Sequence, residues 1–313
     1  MSTIGSVTAV TDASVRAGLA GKGRGDLPGT VFQLLLLGSL LFSLAILFIL
    51  LADVLVRAVP VFAERGLDFL TAPLSSNPAN AGVWQGIVGT AILGVIVSML
   101  AFPFGIATAV YLEEYAGDTK LTRFIQINIR NLAGVPSVVY GLLGLTVFVA
   151  VFGAITDTNG RNVLAGGATL AVLVLPIVII TSIEALRAVP NTIREAGYGV
   201  GASRWEVTRS LVLPSAAPGV LTGTVLALSR ALGETAPLVL VGAVMGSFSG
   251  GTSISDLFTG SFTALPVIVY DWSRKPQDEF RALAAAAIVV LLVITLIANG
   301  IAIYLRNRYE RAW

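Results

Sequence analysis

Two charged side chains, Arg230 and Glu234, stand four residues apart in an apolar stretch at about Pro218–Met245. An arginine at the centre of a membrane helix costs ~2.5–3.5 kcal/mol and usually faces a bundle interior or an aqueous path. A helix rises ~18 Å from Pro218 to Arg230, so the side chain lies beyond easy snorkelling distance of the near face. The order Arg then Glu is the less favourable one for a helical pair, so stabilisation is a weak reason for this placement.

The chemistry that this pair suits is the handling of an oxyanion. The planar guanidinium of Arg230 matches phosphate-like oxygens, and Glu234 would neutralise it while no anion is present. The carboxylate would also oppose excessive retention of a bound anion and so help its release. The alternative is a purely structural ion pair that holds two helices together.

The residue types exclude several other kinds of chemistry. The chain has no Cys and no His, which excludes disulfides, thiolate chemistry, imidazole metal sites and histidine bases. Its lysines are Lys22, Lys120 and Lys275, and none has the setting of a phosphate-binding loop. We therefore expect no catalytic residues, no metal ligands and no ATP site in this chain. An enzyme is the least favoured class.

The elements that carry the charged pair are predicted to be membrane helices. The chain has 313 residues, of which 55% are hydrophobic and 12% charged, whereas soluble domains carry roughly a quarter charged residues. Its mean hydropathy is +0.86. Six stretches are long enough to cross a bilayer, which takes ~20 apolar residues: Val31–Ala52, Trp84–Leu112, Gly134–Gly153, Leu164–Ile183, Pro218–Met245 and Ala282–Leu305. The predicted fold class is all-α and polytopic, with residues 1–30 a flexible tail and residues 31–313 the membrane domain.

The distribution of charge predicts the topology of these spans. Of the twenty Lys and Arg residues, thirteen lie in the tail, the 113–133 connector, the 184–213 loop and the C-terminus, and six lie on the opposite side. The positive-inside rule then places both termini and the 184–213 loop in the cytoplasm of a multi-pass plasma (inner) membrane protein. Residues 57–83 and 247–280 are expected to form outer loops.

Capping residues mark two short helices in the polar segment between the fourth and fifth spans. Asn191 or Thr192 is a suitable N-cap residue, and Glu195 is placed for a capping box with Thr192. Ser203 and Glu206 have the spacing of a second capping box. We predict a helix, a hinge and a second helix here. The alternative is an ordinary interfacial loop that is stabilised by its own caps.

Glycine and proline are expected to set the limits of these helices. Gly197, Gly199 and Gly201 disfavour one continuous helix, because each glycine costs ~1 kcal/mol in a helix interior. Pro214 is expected to end the second helix before the membrane. In the second span, Pro103 and Gly105 are expected to interrupt the helix with a kink.

The spacing of this polar segment resembles the EAA loop of ABC-type import permeases. Glu195-Ala196-Gly197 is followed by three residues, Gly201, nine residues and Leu211-x-Leu213-Pro214. The chain departs at Gly197, where the family has Ala, and at Leu211, where it has Ile. In that family the loop forms coupling helices that sit in a cleft of a cytoplasmic ATPase subunit.

The resemblance implies a role for each matching position of this loop. Glu195 would anchor the loop, and Gly201 would permit the turn between the short helices. The residues implied to couple to the ATPase are Glu195, Ala196, Gly197, Gly201, Ser203, Arg204, Trp205 and Glu206. Trp205 has an alternative role as an aromatic anchor at the lipid headgroups.

A second resemblance is to the phosphate permeases of the PstA and PstC types. The stretch Arg230-Ala-Leu-Gly-Glu-Thr-Ala-Pro237 resembles a signature of both, and Gly134–Gly141 is similar to a segment that they share. The segments Pro103–Tyr115 and Leu265–Trp272 favour the PstA type. The implied translocation residues are Arg230, Glu234 and Thr235, and the implied pore or helix-break residues are Pro136, Ser137 and Tyr140.

The same resemblance implies the type I ABC importer permease fold and import of inorganic phosphate into the cytoplasm. The implied partners are a PstC-like permease, a PstB-like ATPase dimer that binds ATP and Mg²⁺, and a PstS-like phosphate-binding protein. It implies no cofactor in this chain and no nucleic acid. The coupling segment would be residues 191–214, within a cytoplasmic loop at 184–214.

Three alternatives to phosphate import stay open at this point. The first is an ABC permease for another oxyanion, such as sulfate, molybdate or phosphonate, since a guanidinium suits any of these. The second is an ion-coupled secondary transporter, which leaves the pattern at 191–214 unexplained. The third is a non-transporting scaffold, which gives Arg230 no reason to be inside the membrane.

Overall fold

The computed structural model describes residues 27–156, 159–243 and 260–310, and the regular structure of that part is helical. The predicted tail at residues 1–30 lies almost wholly outside the described residues. The α-helices within them are α1 Leu27–Arg65, α2 Asp68–Thr71, α3 Trp84–Val110, α4 Lys120–Ala133, α5 Ser137–Leu143, α6 Val149–Thr156, α7 Val163–Arg187, α8 Asn191–Gly199, α9 Arg204–Val207, α10 Leu213–Gly233, α11 Ala236–Val241, α12 Leu265–Arg274 and α13 Asp278–Glu310.

Wide π-helical turns extend or join several of these helices, at Tyr111–Tyr115, Gly144–Phe148 and Thr208–Val212. With these turns included, six stretches of the described residues are long and apolar enough to cross a membrane: Gly29–Arg65, Trp84–Tyr115, Ser137–Thr156, Val163–Arg187, Arg204–Gly233 and Asp278–Arg308. Each of the six predicted spans overlaps one of these stretches. The all-α, polytopic fold class is therefore confirmed.

The chain divides into two compact units, Met1–Asp53 and Val54–Trp313. The described part of the first unit is the apolar start of α1. In the second unit α7 is the most buried span, and α3 and α10 pack against it. A Cβ on Gly223 of α10 would overlap the hydroxyl of Thr181 on α7. A small residue is therefore required where these two membrane helices meet.

The fifth predicted span differs from the structure at both of its ends. It was placed at about Pro218–Met245, but the helix ends at Gly233 and a separate helix, α11, begins at Ala236. Pro237 stands in the first turn of α11, where its missing N–H is harmless. In the middle of one long helix the same ring would clash with the carbonyl of Gly233. The helix therefore breaks before the proline.

Two other prolines do not interrupt helices as predicted. Pro214 was expected to end the second loop helix, but it lies in the first turn of α10, directly after the wide turn Thr208–Val212. Bonds of the i→i+5 type in that turn widen the backbone, which accommodates the proline and lets the stretch from Arg204 to Gly233 continue. Pro103 and Gly105 likewise do not end α3, which runs from Trp84 to Val110, and the kink expected there stays a prediction.

The predicted outer loops contain more helix than expected. Helix α1 continues through Pro60 to Arg65, so the first loop begins later than residue 57. Residues 247–259 of the second loop lie outside the described residues. The rest of that loop is mainly α12 and the start of α13, and α12 buries Leu265, Ile268 and Trp272. Their spacing of three and four residues is that of one helix face.

Candidate functional site

The charged pair lies at a helix end rather than on one face of a continuous helix. Arg230 is in the last turn of α10, and Glu234 follows the helix with an extended backbone, φ −79° and ψ 128°. The Nε of Arg230 donates to Oε1 of Glu234 at 3.4 Å, and the two side chains are 45% and 19% exposed. A cation in the last turn of a helix is stabilised by the helix dipole. The arginine is therefore stabilised at its position while half of its side chain stays accessible.

Thr235 fixes the other side of this break. Its hydroxyl donates to the carbonyl of Pro266 in the first turn of α12 at 3.4 Å. Helix α12 is itself held in the core, since the N–H of Leu265 donates to the hydroxyl of Thr90 at 2.9 Å. The three predicted translocation residues thus lie together on the break that joins α10 to α11.

The predicted pore residues of the third span lie beside α11. Pro136 precedes α5, Ser137 is its first residue, and the hydroxyl of the buried Tyr140 donates to the carbonyl of Leu132 at 2.8 Å. Helices α5 and α11 pack against each other. A Cβ on Gly141 would lie 2.8 Å from the Cα of Pro237. The two sequence signatures therefore meet in space, although about ninety residues separate them.

A polar contact beside Arg230 escaped the sequence analysis. The hydroxyl of Ser229 donates to Oδ1 of Asn299 on α13 at 2.5 Å. About two turns towards the start of α10, the hydroxyl of Thr222 accepts from Nη1 of Arg306 at 3.4 Å. The signal in the sequence was Asn299, a polar residue within an apolar span. Polar side chains in membrane helices commonly form hydrogen bonds to a neighbouring helix.

The polar segment between the fourth and fifth spans folds as the predicted helix, turn and helix. The turn is at Gly201, whose φ of +84° is in the left-handed region that favours glycine. Ser203 and Glu206 form the predicted capping box at the start of α9. The box predicted for Thr192 and Glu195 was wrong, because α8 already begins at Asn191 after Pro190.

Gly197 serves packing and lies inside α8 rather than at a hinge. A Cβ there would lie 2.7 Å from Cγ2 of Val207 and 2.9 Å from Cδ1 of Leu211. Val207 is buried in an apolar cluster that includes residues of α3, α7 and α10. The inner face of the loop is therefore part of the folded core, unlike an ordinary interfacial loop.

The residue that anchors the loop is Arg194 rather than Glu195. The Nη2 of Arg194 donates to Oε1 of Glu114 at 2.7 Å and to the carbonyl of Leu186 at 2.9 Å, and its Nη1 donates to the carbonyl of Val189 at 2.7 Å. Glu195 is exposed, and the described residues include no ion-pair partner for it. Sequence reasoning missed this contact because Glu114 and Arg194 are 80 residues apart.

The outer face of the loop exposes apolar and aromatic side chains. Trp205 is 56% exposed, Tyr198 44% and Val200 86%. The guanidinium of Arg204 lies 5.2 Å from the centre of the Tyr115 ring, a cation–π geometry. Ala196 and Glu206 are also exposed. This face is suited to contact with a partner or with lipid headgroups.

Within the described residues, no group of three or more Asp and Glu side chains could hold a metal ion. The charged side chains near the helix break are Arg230 and Glu234, and neither has a nucleophile and base arranged beside it. The break therefore presents a partly exposed guanidinium paired with one carboxylate.

A charged helix break and a folded polar loop lie on consecutive parts of one membrane-spanning stretch. The chain belongs to the family of binding-protein-dependent transport system inner membrane components, whose family model matches residues 101–311. It is therefore a permease subunit and not an enzyme. The resemblance stated from the sequence is confirmed at this level.

Relatives of both phosphate permease types are similar to the chain. It is 34% identical over 218 residues to phosphate transport system permease protein PstA 1 of Mycobacterium tuberculosis, covering 69% of this chain and 68% of that protein. It is 33% identical to PstA of Mycobacterium leprae, covering 82% and 81%. It is 31% identical to PstC of Mesorhizobium japonicum, covering 78% and 80%.

Solved structures of ABC importers share the fold. A chain of a bacterial alginate ABC transporter, in complex with its pentasaccharide-bound periplasmic protein, matches with a TM-score of 0.61 at 14% identity, covering 90% of this chain and 97% of that one. A chain of the inward-facing MetNI methionine ABC transporter matches with a TM-score of 0.54 at 18% identity, covering 73% and 94%. The ABC importer permease fold predicted from the sequence is confirmed.

Proposed function

We propose that the chain is the transmembrane permease subunit of an ATP-driven importer that moves inorganic phosphate into the cytoplasm. The observation that carries this proposal is the half-exposed guanidinium of Arg230 at the end of α10, with Glu234 at a long 3.4 Å. The similarity to permeases named for phosphate transport supports phosphate among the possible oxyanions.

The transport step is a competition between two anions for one guanidinium. In the resting state Glu234 neutralises Arg230 from beyond the helix end. An arriving phosphate offers oxygens that the planar donors of Arg230 bind in pairs, and Glu234 is displaced. The displaced carboxylate then repels the bound anion. Retention at this position is therefore brief, as conduction requires.

Energy for the cycle comes from a separate ATPase that binds ATP and Mg²⁺ and engages the loop at 191–214. The exposed face with Tyr198, Val200 and Trp205 is the surface that this partner covers. Without such a partner, the apolar side chains of this face would be exposed to water. Aromatic residues such as Tyr198 and Trp205 are enriched at protein interfaces. Movement of the ATPase pair displaces the loop, and the loop displaces the spans that carry the anion path.

The complete assembly contains a PstC-like permease, a PstB-like ATPase dimer and a PstS-like phosphate-binding protein. Similarity of this chain to both PstA and PstC relatives supports a pair of related permeases. Both termini and the loop face the cytoplasm, as the excess of Lys and Arg there favours. The segment around α12 then faces the binding protein outside.

Uptake of labelled phosphate into proteoliposomes that hold the whole assembly tests this function. We expect uptake that requires ATP and persists when the membrane potential is collapsed. Sulfate, molybdate and phosphonate should compete weakly with phosphate. Strong competition would assign the permease to another oxyanion, and uptake driven by the potential without ATP would assign it to secondary transport.

A further inference from the structure

Arg194 connects three separate elements through one side chain. It is part of α8, and its guanidinium binds the carboxylate of Glu114 in the wide turn after α3. It also binds the carbonyl of Leu186, in the last turn of α7, and the carbonyl of Val189, two residues beyond the end of that helix. The guanidinium therefore joins α8 to the turn after α3 and to the C-terminal end of α7.

This contact is shielded from water and constrained in direction. The side chains of Arg194 and Glu114 are only 15% and 5% exposed. A guanidinium is planar and its donors point in fixed directions. Because its acceptors lie on two different elements, α8 cannot rotate against α3 or α7 without losing at least one of these bonds.

A neighbouring ion pair lacks these properties and provides a natural comparison. The Nε of Arg187 donates to Oε2 of Glu113 at 2.9 Å, but these side chains are 45% and 19% exposed. Arg187 is the last residue of α7, so this pair joins α3 to α7 without involving α8. Two adjacent carboxylates of one turn thus pair with two arginines, and only one of those arginines, Arg194, is on α8.

We propose that Arg194 and Glu114 form the joint that transmits movement of the coupling loop to the second and fourth spans. This inference rests on the proposed function and adds to it the residues through which force passes. Arg194 is a positioning residue, since it contacts neither solute nor nucleotide. On its other side α8 packs through Gly197 against Val207, so the loop moves with the start of the fifth span as well.

The test uses Arg194→Lys and Glu114→Gln in the complete assembly in proteoliposomes, with Arg187→Lys and Glu113→Gln as matched controls. ATP hydrolysis and phosphate uptake are measured in the same vesicles. We expect the number of phosphate ions moved per ATP to fall about tenfold in the first pair, a size typical of coupling between sites. The controls should stay within about twofold of wild type.

A second readout measures the joint without reference to transport. The chain has no native cysteine, so spin labels can be attached to it at Thr192→Cys, an exposed position of α8 away from the face with Trp205, and at Lys120→Cys. We expect the distance distribution between the labels to broaden with Arg194→Lys and to stay narrow with Arg187→Lys. Two results would overturn the proposed joint. One is a distance distribution of the same width in Arg194→Lys as in wild type. The other is a wild-type number of phosphate ions per ATP in assembled Arg194→Lys complexes. Failure of the wild-type assembly to import phosphate with ATP would instead overturn the proposed function, and the label distances would still decide the joint.

Discussion

Glu234 lies one residue beyond the last residue of α10, and from there its carboxylate accepts a hydrogen bond from Arg230 at 3.4 Å. The pair therefore bridges the end of a helix, where the backbone of Glu234 is extended. A carboxylate at such a position can move away from the arginine without unwinding a helix. This freedom is what exchange between the carboxylate and an incoming anion requires.

Removing the charge of Glu234 should increase the retention of phosphate. We expect Glu234→Gln to bind phosphate roughly fivefold more tightly and to turn over more slowly, because a partly exposed ion pair contributes ~1 kcal/mol. Equilibrium dialysis of labelled phosphate with the complex, in the absence of the binding protein, measures the affinity. Glu279→Gln, at an exposed position near the start of α13, is the control. Unchanged affinity in Glu234→Gln would contradict the competition.

The contact between Ser229 and Asn299 should contribute to the packing of α10 against α13. Hydrogen bonds between membrane helices contribute ~0.6 kcal/mol on average. We expect Ser229→Ala to lower the melting temperature of the complex by a small but measurable amount. Thr295→Val is the control, since the hydroxyl of Thr295 donates within its own helix. Equal melting temperatures for Ser229→Ala and wild type would show that the contact is not stabilising.

Two glycines of α8 should respond differently to the same substitution. Alanine is a better helix former than glycine, and a Cβ on Gly199, the last residue of α8, meets nothing within 4 Å. At Gly197 the Cβ would lie 2.7 Å from Val207, and overpacking costs ~1–3 kcal/mol. We expect Gly199→Ala to raise the melting temperature of the complex or leave it unchanged, and Gly197→Ala to lower it. A rise with Gly197→Ala would contradict the tight packing of the loop.

The exposed side chain of Trp205 distinguishes docking to the ATPase from anchoring in lipid headgroups. We expect Trp205→Ala to reduce the amount of ATPase that copurifies with the permease, because truncating a buried aromatic residue at an interface commonly costs ~2 kcal/mol or more. Membrane insertion, measured by extraction with carbonate, should be unaffected. Normal copurification of the ATPase would instead assign Trp205 to the lipid interface.

The sequence predicts those parts of the fold that depend on local patterns. Hydropathy alone located all six spans, and the box of Ser203 and Glu206 followed from their spacing. The break after Gly233 was missed because mean hydropathy, by which the spans were located, does not register the effect of Pro237 on the preceding turn. The helix continues past Pro214 because of the wide turn before it, and no local sequence pattern predicts that turn.

Contacts between distant residues were the least predictable part of the site. Arg194 meets Glu114 because the fold places the turn after α3, the C-terminal end of α7 and helix α8 next to one another. The sequence analysis gave the anchoring role to Glu195, the neighbour that matches the family pattern. The arginine beside it makes the contacts because its side chain points towards the ends of the spans.

The most direct test of the account is phosphate uptake by Arg230→Gln. This substitution removes the charge and keeps much of the side-chain volume, so assembly with the partner subunits should persist. We expect uptake by reconstituted complexes to fall roughly a hundredfold, since hydrogen bonds to charged groups contribute ~1.5–3 kcal/mol each. A well-assembled Arg230→Gln complex that imports phosphate at the wild-type rate would contradict the role of the guanidinium in transport.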